Sequence, residues 1–200
     1  ALLVKANLTD TDLNSANLHN ANLQEANLIK ANLSLANLSG ANLTKANLSL
    51  ANLIGVDLTL ANLQDTFMSE ANLIGTDLKD ANLKGVDLGR AKLNRANLWK
   101  AKLYDANLIE VELTNANLYE VEAIGAYFYK ANLTKANLTK AHLIGAYLLQ
   151  ADMSEADLRG ADLRWANLKG ANFTGANLTG AKLQGANLIG ANLDRAIVGK

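Results

Sequence analysis

A five-residue repeat runs through the whole chain without an insertion or a deletion. Leucine occupies positions 3, 8, 13 and so on to 198 with six exceptions, and alanine stands two residues before it in most units. On an α-helix, a step of five residues would rotate an apolar stripe by about 140° each time, so no single face could be buried. The repeat therefore excludes an amphipathic helical fold. Its unbroken phase over 200 residues predicts a single domain, 1–200, without a linker.

Leucine and alanine cannot share one face of a straight strand either. Within a unit they lie two residues apart and point the same way, but the next alanine comes three residues after the leucine, and an odd step reverses the side chain. Both residue types stay inside only if the chain turns a corner in every unit. Repeated corners of one hand wind the chain into a solenoid whose successive coils are joined by hydrogen bonds. The pattern therefore predicts an all-β solenoid.

The charged residues indicate how many units close one coil. In a coil of 20 residues, residue n lies beside residue n+20 at the strand spacing of about 4.8 Å. At that offset fourteen pairs of charged residues are opposite in sign, and the like pair is Asp57 with Asp77. At an offset of 15, like pairs such as Asp10 with Glu25 are common. Because opposite charges across strands stabilise a sheet, we predict four sides and ten coils, a rod about 48 Å long.

The inward positions contain a few exceptions to the leucine and alanine columns. Inward threonines at 11, 66 and 76 need partners for their hydroxyls, and we expect backbone carbonyls at the corners to accept them. Ala123 replaces a leucine and would leave a void, while Phe128 on the next side is larger than a leucine. Because protein interiors keep a nearly constant density, we predict that the Phe128 ring fills the space beside Ala123, helped by Val121.

The repeated unit resembles the motif A(N/D)LXX of the pentapeptide repeat family, and the resemblance covers all 200 residues. It implies a right-handed quadrilateral β-helix, with a handedness that the period alone does not give. The regular Ala-Asn-Leu units are most similar to the cyanobacterial members. One such member is a membrane protein that is needed to place heterocyst glycolipids and carries these repeats at its C-terminus. The resemblance therefore implies a domain of a longer chain, with membrane contact only through the missing part.

The composition contains few residues of the kinds that form catalytic or metal sites. Nineteen acidic residues balance nineteen basic ones, so no net field attracts nucleic acid, and the absence of cysteine removes thiolate metal ligands. His142 stands between Glu122 and Asp162 in one outward column, but three parallel side chains on a flat side form no pocket and include no nucleophile. Glycines recur at the fifth position of the unit, where turns need positive φ. We predict no catalytic, cofactor or metal site and no nucleic-acid partner.

Apolar and aromatic residues gather on the outward positions of coils 101–160. Across coils 81–160 the outward charges also alternate in sign from coil to coil, and we expect them to stabilise the rod. A contiguous aromatic-rich patch often marks the site of a protein partner. Trp99 and Tyr119 are expected to stack on a further side. The candidate partner surface consists of Tyr104, Ile109, Ile124, Tyr127, Tyr129, Ile144, Tyr147 and Leu149.

These features favour a non-enzymatic scaffold, a rigid rod that presents flat sides to a protein partner, with heterocyst glycolipid layer formation as the process that the resemblance implies. Because an open solenoid end exposes core and unpaired strand edges, we also expect rods to associate end to end. Two alternatives stay open. One is DNA mimicry of the kind that inhibits DNA gyrase, against which the zero net charge argues. The other is an ice-binding threonine array, for which Thr114, Thr134, Ser154 and Thr174 supply one column.

Overall fold

The computed structural model describes residues 1–199 as a solenoid of coils that begin at residues 1, 21, 41 and so on to 181. Parallel bridges join residue n to residue n+20, from Leu2 with Asn22 through to Asn177 with Ile197. The predicted circuit of 20 residues is therefore confirmed. Sides 1 to 4 denote the pentads that begin at residues 1, 6, 11 and 16 and at every twentieth residue after each.

Each pentad forms a very short extended segment followed by a turn. The bridged residue is the second of the pentad (2, 7, 12 and so on to 197), and the fourth and fifth residues form the turn up to position 195. The N–H of each position 1 donates to the carbonyl of the leucine three residues earlier, as Ala26 does to Leu23 at 3.0 Å. The inter-coil bonds start from positions 2, 3 and 5. For example, the Leu23 N–H donates to the Asn42 carbonyl at 2.7 Å.

The corners impose a left-handed backbone on every fifth residue. From residue 5 to residue 195 each corner residue has φ between 53° and 73°, whether it is glycine or not. The prediction that the fifth-position glycines serve turns with positive φ is confirmed. Lysine, aspartate and leucine take the same conformation at other corners. The four-sided winding of the chain therefore determines the corner conformation, and glycine only lowers its strain.

Two inward positions of each pentad form the core. Positions 1 and 3 are almost completely buried from Ala21 to Leu178. The inward threonine hydroxyls find the carbonyl acceptors expected of them, since Thr66 donates to Leu43 and Thr76 to Leu53, both at 2.8 Å. Thr11 donates to Leu8 of its own turn at 2.7 Å, because no earlier coil lies beneath it. The three inward threonine hydroxyls therefore each have a backbone carbonyl as a partner.

Ala123 and Phe128 are both fully buried in one coil, on adjacent sides. Phe128 is among the largest side chains without solvent exposure. Their joint burial fits the expected exchange of volume between the two positions, and the filling of the Ala123 space by the Phe128 ring stays a prediction.

The two end coils are less well covered than the middle. Leu3, Leu8 and Leu188 are only partly buried, whereas the leucines of the inner coils are at most 2% exposed. End-to-end association of rods stays a prediction. Among residues 1–199, no helix has the length and the apolar character that crossing a membrane requires.

Candidate interaction surface

Positions 2, 4 and 5 of each pentad project outward, so the exterior consists of side-chain columns that run along the rod. Residues 20 apart are neighbours in a column because the coils pair at that offset. The surface is therefore a lattice in which sequence position gives location directly. A partner that binds along the sides of the rod contacts these columns, since the interior is filled by leucine and alanine.

The asparagines of position 2 are structural. Their Oδ1 atoms accept the backbone N–H two residues later, as Asn27 does from Ile29 at 3.2 Å. Their Nδ2 atoms donate to the preceding coil, and Asn82 reaches Asn62 at 2.9 Å. Stacked amides and asparagines in turns form both kinds of bond. These side chains are occupied with the rod itself, so position 2 offers ligands few free amides where asparagine continues.

Arg90 and Glu110 form an ion pair between neighbouring coils on side 2. Arg90 Nε donates to Glu110 Oε2 at 2.8 Å across one coil step. The hydrogen bond from Arg90, followed by its charge, lowers the pKa of the Glu110 carboxyl, and the same contact raises the pKa of Arg90. Both side chains are well exposed, so the pair supports the register and contributes little to stability.

A three-membered ladder follows the corner between sides 4 and 1. Glu120 lies between Lys100 and Lys140, each 3.6 Å away. A hydrogen bond from Tyr119 is the main cause that lowers the pKa of Glu120, and the two lysines add to it. Asp80 precedes them in the same column, so the signs alternate along this corner. A continuous acidic strip, which DNA mimicry requires, is interrupted at every second coil here.

Among residues 1–199, five of the opposite pairs predicted from the sequence come within 4.0 Å. Two further pairs join positions 2 and 4 of one pentad and were missed by the sequence analysis. Arg159 binds Asp157 at 2.6 Å, and Arg164 binds Asp162 at 2.7 Å. The signal was the repeated Asp-Leu-Arg, which puts both charges on the same side two residues apart.

His142 does lie between Glu122 and Asp162 in the outward column, as the register predicts. Asp162 is turned to another partner, since its two oxygens accept hydrogen bonds from Arg164 Nε and Nη2. These bonds lower the pKa of Asp162. Within residues 1–199, no group of three or more histidine, aspartate and glutamate side chains has the arrangement to hold a metal ion. The column has the geometry of a surface ladder.

The eight residues of the candidate partner surface lie in three columns of sides 1 and 2. Tyr127 and Tyr147 stack with ring centroids 4.8 Å apart and planes inclined by 3°. Both are exposed, at 43% and 47%, as are Ile109 and Ile124. The remaining four are half-buried: Tyr104, Tyr129, Ile144 and Leu149. The structure thus places the predicted residues on two adjoining sides, with the stacked tyrosines as the most exposed aromatic pair. We call these eight residues the tyrosine surface.

The expected stack of Trp99 on Tyr119 is wrong, although the two residues do occupy successive coils of side 4. Cations cover the rings instead. Lys79 Nζ lies 4.3 Å from the centroid of the Trp99 ring, and Lys140 Nζ lies 5.5 Å from that of Tyr119. Lys140 also donates to the Tyr119 hydroxyl at 3.1 Å. The column pattern places these residues in successive coils but does not give the conformations of the flexible lysine side chains that cover the rings.

Two exposed aromatic residues were not singled out from the sequence. Phe67 is 50% exposed at position 2 of side 2, the same column as Tyr127. Trp165 is 69% exposed at a corner, and its ring folds over Gly185, where a Cβ would collide with it. Their outward pentad positions were the available signal. Both lie outside the tyrosine surface.

Hydroxyls in the threonine column on side 3 contact other groups of the rod. Thr174 Oγ1 donates to Asn172 Oδ1 at 2.6 Å, and Thr134 Oγ1 lies 3.4 Å from Ser154 Oγ. Hydroxyls that bond their own turn are held away from an outside lattice. This geometry disfavours the ice-binding alternative.

Four outward-facing sides around stacked leucine columns define the molecule as a quadrilateral β-solenoid. The chain belongs to the pentapeptide repeat family: it matches the family described as "Pentapeptide repeats (8 copies)" in eight segments that together span residues 1–128 and 131–198. Its structural neighbours are right-handed quadrilateral β-helices, which confirms the handedness that the resemblance implied. Members of the family are generally non-catalytic structural or interaction proteins.

The chain is similar to HetL, a pentapeptide repeat protein involved in heterocyst differentiation regulation from the cyanobacterium Nostoc sp. strain PCC 7120. The identity is 35% and the TM-score 0.76, over 98% of this chain and 90% of that one. Rfr23 from the cyanobacterium Cyanothece 51142 is 27% identical over 63% of this chain and 90% of that one, with a TM-score of 0.37. QnrB1, a plasmid-mediated fluoroquinolone resistance protein, is 18% identical over 99% of this chain and 92% of that one, with a TM-score of 0.42. The last two scores are too low to transfer a role. No curated protein sequence matches the chain.

Proposed function

We propose that the chain is a non-catalytic scaffold that binds a protein partner through the tyrosine surface. The observation that carries this proposal is the coplanar pair of Tyr127 and Tyr147, exposed on a rigid lattice between apolar columns. Tyrosine offers a large contact area and few rotatable bonds, so its immobilisation costs little entropy. Here the stack has already ordered both rings before a partner arrives.

The composition of the surrounding rod supports this location. Asparagine amides, ion pairs and hydroxyls along other columns are engaged with their neighbours, whereas Ile109 and Ile124 have no polar group to satisfy. An exposed apolar patch on a soluble surface loses water favourably when a partner covers it. Covering the tyrosine surface is therefore expected to contribute the most favourable free energy of binding.

We assign the process by similarity. HetL is involved in heterocyst differentiation regulation, and 35% identity over nearly the whole chain supports a role in heterocyst development here too. Support for heterocyst glycolipid layer formation, implied by the resemblance to the cyanobacterial members, stays a prediction within that process. Expression of this chain in a Nostoc strain that lacks HetL tests the assignment, with the pattern of heterocysts as the readout.

The binding surface is tested by affinity capture from a lysate of a heterocyst-forming cyanobacterium. Immobilised wild type is compared with Tyr127→Ser/Tyr147→Ser and with Phe67→Ser, a matched control in the same column three coils away. We expect the double variant to lose a partner that wild type and the control retain. Identical captured proteins for all three chains would overturn the proposal. Thermal melts of the three chains exclude unfolding as the cause of any loss.

A further inference from the structure

Two of the corner glycines differ from all the others in their surroundings. Gly125 and Gly145 are half-buried, whereas the other ten glycines at corner positions are exposed. A corner residue without a side chain is expected to be open to water, as Gly75 is. Side chains on both sides of the corner must therefore rise above the backbone at these two coils and reduce its exposure to solvent.

The chain itself supplies the two walls. Ile124 and Ile144 directly precede the two glycines on side 1, and Tyr127 and Tyr147 follow them on side 2. A Cβ built on Gly145 would meet no atom within 4 Å, so the space above the floor is empty. Because the coils stack at n+20, the recess at Gly145 is followed along the rod by Gly125, over which the Asp105 carboxylate leans. We call it the glycine groove, with isoleucines on one wall and stacked tyrosines on the other.

One end of the groove carries a negative charge. The Oδ1 atom of Asp105 lies 2.9 Å from the point that a Cβ on Gly125 would occupy, so the carboxylate leans over the floor. Within residues 1–199, no lysine or arginine nitrogen lies within 4.0 Å of this exposed carboxylate, whereas Glu110 in the same coil is held by Arg90. At the other end Trp165 folds over Gly185, away from the groove.

We propose that the glycine groove receives a lysine or arginine side chain from an extended peptide segment of the partner, an inference that rests on the proposed function of the tyrosine surface. The aliphatic stem lies over Gly145, where a Cβ would meet no atom within 4 Å. The cationic head reaches the Asp105 carboxylate beside the Tyr127 ring. Charge complementarity at Asp105 selects the basic residue, and the apolar columns on both sides accept the apolar residues that flank it.

The experiment selects ligands without assuming a sequence. Random dodecapeptides displayed on phage are selected on the whole wild-type chain and counter-selected on the Tyr127→Ser/Tyr147→Ser variant. We expect the enriched peptides to carry lysine or arginine between apolar residues. One synthetic peptide from this set, dye-labelled, and its twin with norleucine in place of the basic residue then serve as the probes in fluorescence anisotropy titrations.

Two variants locate the bound side chain. Gly145→Lys fills the groove, and we expect it to weaken binding about tenfold or more, which corresponds to 1.4 kcal/mol. Gly75→Lys is the matched control, because its Cβ also meets no atom within 4 Å and it lies on side 3. Neighbouring corners already hold lysine in this backbone, as Lys140 shows with φ 55°, so both variants should fold. Asp105→Asn should weaken the basic peptide about fivefold and leave its norleucine twin unchanged.

Three results would overturn the inference: no enriched peptides, enriched peptides without a basic residue, or equal binding to Gly145→Lys and wild type. Affinity capture with the same variants distinguishes failure of the groove proposal from failure of the proposed function. If Gly145→Lys retains a partner that the double serine variant loses, the tyrosine surface stands and the groove does not. If the double serine variant retains every partner, the proposed function itself is wrong.

Discussion

Thr66 donates its buried hydroxyl hydrogen to the carbonyl oxygen of Leu43, 23 residues earlier and 2.8 Å away. The same oxygen accepts the backbone N–H of Ala46 at 2.9 Å, so both of its lone pairs are used. Thr76 repeats the arrangement with Leu53. An alanine position thus admits a hydroxyl without leaving a polar group unpaired, because the turn of the preceding coil presents a carbonyl to the interior.

Replacement of Thr66 by valine tests how much that second bond contributes. Valine keeps the volume and removes the only group that needed a partner, while Leu43 retains the bond from Ala46. We expect the free energy of unfolding to fall by no more than about 1 kcal/mol. Thr66→Ala, which also leaves space for a missing methyl group, should cost more. Urea unfolding of both variants measures this, and a loss above about 2 kcal/mol for valine contradicts the shared-acceptor argument.

The Ala123 and Phe128 positions should behave as one unit. If the Phe128 ring occupies the space beside Ala123, Phe128→Leu leaves a void and Ala123→Leu alone overcrowds the coil. We expect both single variants to be destabilised, and the double variant to be more stable than the sum predicts by at least about 0.5 kcal/mol. Thermal and urea unfolding supply the double-mutant cycle. Additive effects would mean that the two positions pack independently.

The sequence predicts the architecture well because this fold depends on period and register, and both are written in the order of residues. The opposite charges at offset 20 were enough to place Glu110 beside Arg90, which the structure confirms. Thr66 and Thr76 were also assigned the right kind of acceptor. These correct predictions concern residues whose neighbours are determined by the register of the coils.

The failures concern where long side chains point. Trp99 and Tyr119 occupy the predicted column, yet lysines rather than rings cover them, since four rotatable bonds give Lys79 and Lys140 many competing contacts. Periodicity also gave no sign that ordinary L-residues such as Leu60 take positive φ at the corners. The residue types and their spacing were enough to name the tyrosine surface, whereas the half-buried state of Gly125 and Gly145 depends on how neighbouring side chains are oriented in the fold.

Asp162 should make the rod acid-sensitive. Its hydrogen bonds from Arg164 lower the pKa of its carboxyl below the ordinary 3.8, so its contribution to stability is present above that value and is lost as the pH falls through the lowered pKa. We expect Asp162→Asn to melt at a lower temperature than wild type near pH 7, and the difference to shrink below pH 3.8. Asp157→Asn offers a second, more exposed Arg-paired carboxylate as a comparison. A difference in melting temperature that stays constant with pH would show that the contact between Arg164 and Asp162 stabilises the rod independently of the carboxylate charge.

Replacement of an exposed corner residue by glycine should stabilise the rod. Leu60 has φ 58° and is 70% exposed, so its side chain bears the left-handed strain without a packing benefit. The conformation costs an L-residue about 1–2 kcal/mol, while glycine loses about 0.5–1 kcal/mol more backbone entropy on folding. The net expectation is that Leu60→Gly is about 0.5–1 kcal/mol more stable than Leu60→Ser, a control that removes the same apolar surface but keeps the Cβ. Asn62→Gly, at a bridged position, should instead destabilise the rod. Thermal unfolding of the three variants decides, and a serine variant as stable as the glycine one would mean that the corner backbone is not strained.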